Sequence, residues 1–174
     1  MPAWVPTFLV VIACAVLMWA GLEKIRSPSS LAASIQALGG PPRFATIAAV
    51  IVPVAELATV IFVVAGVSPY LPAALFAVLG VAFATAGARA MQSRAEVACA
   101  CFGTSERRLG WPQLAGLPLW LLAAWSVIHM PAFGLRERLG CAAAAIVLLT
   151  AGRAFSAVRL GAAARSDRRA FAGD

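Results

Sequence analysis

Five stretches of this chain are each apolar enough and long enough to cross a bilayer: 4–22, 44–66, 70 to about 88, 114–130 and 139 to about 158. About 20 apolar residues in a helix match the hydrocarbon thickness. Inside lipid no water is available to bond the backbone, so each spanning segment must satisfy its own N–H and C=O groups. These stretches therefore predict an all-α protein, a polytopic membrane helical bundle of about five transmembrane helices. We expect one integral membrane domain over residues 1–161, followed by a basic tail over 162–174.

Composition agrees. The chain is 62% hydrophobic and only 12% charged, with a mean hydropathy of +0.90. Soluble domains run near 45–50% apolar and about 25% charged. The net charge of +7 does not point to nucleic acid. The basic residues sit in short connections and at the C-terminal end, not on an amphipathic face with interleaved aromatics. They read as orientation signals and contacts to anionic lipid. The first span is expected to be retained, because no Lys or Arg precedes Lys24 and no small-residue cleavage site follows the apolar run. No internal repeat is visible. Leu31, Ile35 and Leu38 recur at helical spacing in 29–38, which fits either a short helix lying in the interface or a polar loop.

With five spans, alternate connections share a side of the membrane. Twelve of the fourteen Lys and Arg, Lys24 and Arg26 among them, then fall on one side, leaving Arg136 and Arg138 on the other. The positive-inside rule accordingly puts the N-terminus outside and the C-terminus in the cytoplasm.

Two features carry chemistry. The first is Cys99-Ala100-Cys101-Phe102-Gly103, in a polar connection flanked by Arg94, Arg107 and Arg108. Nearby cations raise the thiolate fraction. A disulfide spanning one residue closes a small, strained ring, and strained disulfides are the labile ones. The pair therefore suits passing a disulfide on. The same two sulfurs could instead bind a soft metal such as Cu(I) or Zn, although a closed zinc site takes four ligands. The single histidine, His129, lies at the far end of the fourth span. Cys14 and Cys141 lie in apolar runs and read as small hydrophobes.

The second is Glu56, about halfway along the second span. An ionisable group at that depth is costly, which marks it for function. It is expected to carry its proton and donate a hydrogen bond. Proton transfer to a thiolate, ligand binding and a structural bond to a neighbouring helix freed by Pro53 all fit. Glu23 and Lys24 close the first span, and are expected at the interface, paired with headgroups or with each other.

Taken together, Gly21-Leu22-Glu23-Lys24-Ile25-Arg26-Ser27-Pro28, Leu38-Gly39-Gly40-Pro41, Pro53-Val54-Ala55-Glu56-Leu57 and Cys99-Ala100-Cys101-Phe102-Gly103 resemble the MauE (methylamine utilisation) branch of the DoxX-like integral membrane proteins. The likeness covers roughly residues 5–130, and the Cys-x-Cys-Phe-Gly signature is its most specific part. The resemblance implies a four-helix core plus one further helix, linked to thiol–disulfide chemistry and to maturation of a disulfide-rich periplasmic protein. It makes Cys99 and Cys101 the redox pair, Glu56 the membrane carboxylate, and a thioredoxin-like or disulfide-containing protein the partner. No quinone, haem or nucleotide motif identifies a cofactor. A tension remains, since the charge count faces the thiols inward and the implied substrate lies outside. A relay of electrons across the membrane, or a loop folded into the bundle, would reconcile the two.

Overall fold

The computed structural model describes residues 4–66, 68–93 and 109–129, with isolated positions between 139 and 150. Over these residues the protein is all-helical, with α1 Trp4–Arg26, α2 Pro28–Ala37, α3 Pro42–Ala65, α4 Tyr70–Ser93 and α5 Trp111–His129. Four of the five helices, all but α2, are long and apolar enough to span a membrane. The fifth apolar segment lies largely outside the described residues, and the tail lies wholly outside them.

The helices start and stop for local reasons. Helix α1 runs one turn past the apolar stretch because Arg26 donates from Nη1 to Glu23 Oε1 at 2.8 Å, across i and i+3. Lys24 and Arg26 in that last turn also suit the negative end of the helix dipole. Helix α2 opens with Pro28, whose missing N–H costs nothing in a first turn. Helix α3 ends at Gly66, where φ of 67° and ψ of 32° turn the chain left-handed. A side chain would strain that position. At the head of α5, the Gly110 N–H donates to Gln113 Oε1 at 2.8 Å. The Gln113 N–H returns to the Gly110 carbonyl at 3.2 Å, so the first turn is closed reciprocally.

The four spans form a ring in chain order. α1 packs on α3, α3 on α4, α4 on α5, and α5 closes onto α1; α2 lies against α3 and touches α1. Val10, Cys14 and Leu17 of α1 meet Val60 and Val63 of α3, Phe76 and Leu79 of α4, and Ala123 and Val127 of α5 in the core. Cys14 is buried there, as its apolar surroundings predict. The tightest seam is α4 on α5. Trp120 packs against Gly80, where an added Cβ would lie 2.6 Å from the Trp120 Cβ. Phe76 and Phe83 stand on either side, each with its ring 6.1 Å from that of Trp120.

The outer surface is what a bilayer requires. Phe44, Ile47, Ile51, Val54 and Ile61 of α3 are all more than half exposed, as are Val78 of α4 and Leu119 of α5. A soluble monomer rarely leaves so much contiguous apolar surface open. In lipid it is the solvated face.

Candidate functional site

Beyond the apolar core, toward the end of the bundle that carries α2, two charges are buried together. Lys24 is 2% exposed and Glu56 is 0% exposed. The Lys24 ammonium donates from Nζ to Glu56 Oε1, linking α1 to α3. The same ammonium lies 5.3 Å from the centre of the Phe83 ring on α4, within range of a cation–π contact. Gly21 makes the approach possible. A Cβ there would sit 3.2 Å from Leu57 Cγ and 3.4 Å from Glu56 Cβ, so its absence lets α1 close on α3 one turn below Lys24.

This arrangement corrects the expectation that Lys24 sits among lipid headgroups. A lone carboxylate at that depth is too costly to leave uncompensated, and a long lysine stem in the last turn of α1 can deliver a cation to it. Glu56 Oε1 accepts from Lys24 in this arrangement. Glu23, released from Lys24, pairs with Arg26 at the half-exposed surface. The clue was in the chain: Lys24 is its only lysine, all other cationic side chains save the single histidine being arginine.

The pair is not saturated. Glu56 Oε2 is buried with no hydrogen-bond partner among the described residues. A carboxylate can accept about four hydrogen bonds, and an orphaned buried acceptor costs about 1–3 kcal/mol. Pro53 one turn earlier removes a backbone donor from α3, while Thr59 spends its hydroxyl on the Ala55 carbonyl at 2.7 Å. The carboxylate thus takes no help from its own helix.

Next to Lys24 lies a small chamber of about 60 Å³. Helix α2 roofs it with Leu31, Ser34 and Ile35 and its C-cap Leu38, α4 contributes Phe83 and Ala86, and Leu109 and Gln113 close it from the head of α5. The helical spacing of Leu31, Ile35 and Leu38 therefore serves a helix folded onto the bundle rather than a loop. His129 lies at the opposite end of α5, its ring stacked on Trp125 at 4.5 Å, and takes no part.

Cys99 and Cys101 lie outside the described residues, as does Cys141. The described chain leaves α4 at Ser93 and returns at Leu109, which itself lines the chamber.

A ring of antiparallel spans with a buried lysine–glutamate pair at one end defines a multi-pass membrane protein with a polar intramembrane site. The chain belongs to the family described as methylamine utilisation protein MauE, whose family model matches residues 2–130. That match spans all four membrane helices, α2 and the Cys-x-Cys segment. No curated protein and no solved structure matches the chain.

Proposed function

We propose that this protein is a membrane thiol–disulfide redox protein or accessory that relays disulfides to a partner protein through Cys99 and Cys101, with the buried pair as its polar centre. What supports this reading is chain order: the segment with both thiols leads directly into Leu109, and Leu109 lines the same chamber as Lys24. Membership of a methylamine-utilisation family and three flanking arginines support it. The partner is a thioredoxin-like or other disulfide-containing protein, and the membrane lipids solvate the rest of the molecule.

The exchange balances as two displacements. One cysteine thiolate attacks a sulfur of the partner's disulfide; the partner's S–S bond breaks, a mixed disulfide forms and a partner thiolate leaves. The second cysteine thiolate then attacks its neighbour's sulfur in the mixed disulfide, releasing the partner's other thiolate. Cys99 and Cys101 end as a disulfide and the partner as a dithiol. Run backwards, the same steps oxidise the partner.

Single Cys99→Ser and Cys101→Ser variants test this. One should accumulate a covalent complex with a thioredoxin-like protein that reductant releases, because its resolving thiol is gone. The other should form no complex, and Cys14→Ser should leave exchange unchanged. No complex from either variant, together with binding of one Cu(I) or Zn through both thiols, would replace redox relay with soft-metal binding.

A further inference from the structure

We propose that the fifth apolar segment, residues 139 to about 158, docks along an open groove between α1 and α5 and closes that seam of the ring. The groove measures about 210 Å³. Ile12, Ala13 and Val16 line it from α1, and Gly116, Leu119 and Trp120 line it from α5. Ala13 and Gly116 are small, so a further helix can approach closely there, and close approach is what holds helices together in lipid. The other flank of α5 is already occupied, since Trp120 packs on Gly80 of α4.

Chain order brings the segment to this place. Nine residues separate His129 from Leu139, and helices joined by short connections pack as antiparallel neighbours. A segment antiparallel to α5 runs parallel to α1. The depths then agree: Ala13 lies nine residues from the start of α1, Trp120 nine from the end of α5, and Leu148 nine from Leu139. Each is about 14 Å from the same face of the bundle. The described part of the segment supplies its orientation. Leu139, Ala143, Ile146, Val147 and Thr150 are helical, share one face and are exposed. Thr150 donates its hydroxyl to the Ile146 carbonyl at 3.0 Å, so this face is fit for lipid. In the same register the opposite face falls to Cys141, Ala145, Leu148 and Gly152. Three small residues around one large one make a single knob for a groove. Leu148 is that knob, at the level of Ala13.

The test is oxidative cross-linking of the full chain in phosphatidylcholine vesicles. The background carries Cys14→Ala, Cys99→Ser, Cys101→Ser and Cys141→Ser, with a protease site inserted in the connection 130–138. Leu148→Cys is paired with Ala13→Cys from α1, or with Leu119→Cys from α5; the second pair decides the matter if the first fails to insert. Both pairs should form a disulfide within one chain, so that the cleaved C-terminal fragment stays attached until reductant is added. Leu148→Cys paired with Val54→Cys, on the lipid-facing side of α3, should release its fragment. No bond from either groove pair would overturn the proposal, as would a bond to Val54→Cys instead. Dimers from Ala13→Cys or Leu119→Cys alone would also overturn it, by seating a second copy of the chain in the groove.

Discussion

At Lys24 and Glu56 the protein places two charges where each alone would be intolerable. The pair is therefore asymmetric in its response to mutation. Lys24→Met strands a buried carboxylate, and should destabilise the bundle by about 3–5 kcal/mol. Lys24→Met combined with Glu56→Leu removes both charges, and should recover most of that loss. Unfolding in mixed detergent, followed by tryptophan fluorescence, measures both. A double variant no more stable than Lys24→Met would mean that the pair does more than cancel itself. The carboxylate was legible in the sequence, because an acid amid Ile, Val and Ala has no innocent place in lipid. Its partner was not, for a physical reason: a lysine near a span end satisfies the headgroup reading as well as the buried one. Only the third dimension brings residues 32 apart into contact.

Among the elements, the α4–α5 seam is the one set by shape. Gly80 and Gly87 lie two turns apart on α4; a Cβ at Gly87 would meet the Gly110 carbonyl oxygen and the Gln113 Cβ, each at 2.8 Å. Small residues let helices approach closely where lipid offers no hydrophobic drive for association. Gly80→Ala should cost about 1–3 kcal/mol in the same unfolding experiment, because Trp120 is held between Phe76 and Phe83 and cannot retreat freely. Gly116→Ala, whose nearest neighbour is 3.8 Å away, should cost far less. Equal losses would show that the close approach at Gly80 does not govern the seam. The spans themselves were readable from apolar run length, since lipid leaves helices as the only open-chain solution. Their ends were less so. Composition placed the end of the third span near residue 88, whereas α4 continues to Ser93, since a helix can run on past the apolar slab wherever its backbone bonds persist. Helix α2 was ambiguous because its apolar spacing covers only three positions, and its burial depends on a roof that sequence does not display.

Over the whole molecule, orientation is the open quantity and charge is the argument for it. Pairing with Glu56 removes Lys24 from the cations that report sidedness, yet Arg26 and Arg43 still border α2, and Arg94, Arg107 and Arg108 still lie between α4 and α5. Reporter fusions after Gly66 should therefore read outside, and fusions after Ser93 cytoplasmic. With a fifth span, fusions after Asp174 should agree with those after Ser93. Agreement between Gly66 and Asp174 instead would remove the fifth span. The ring of helices in chain order has one more consequence, which concerns time. Lys24 is synthesised well before Glu56, so the nascent first helix meets the bilayer with a cation and no counter-charge. Its cheapest course is to wait with the ammonium reaching toward the headgroups. Descent becomes favourable only when α3 arrives with the carboxylate. The first two spans should thus settle into the membrane as a hairpin, late and together, with the ion pair acting as a latch on the order of assembly.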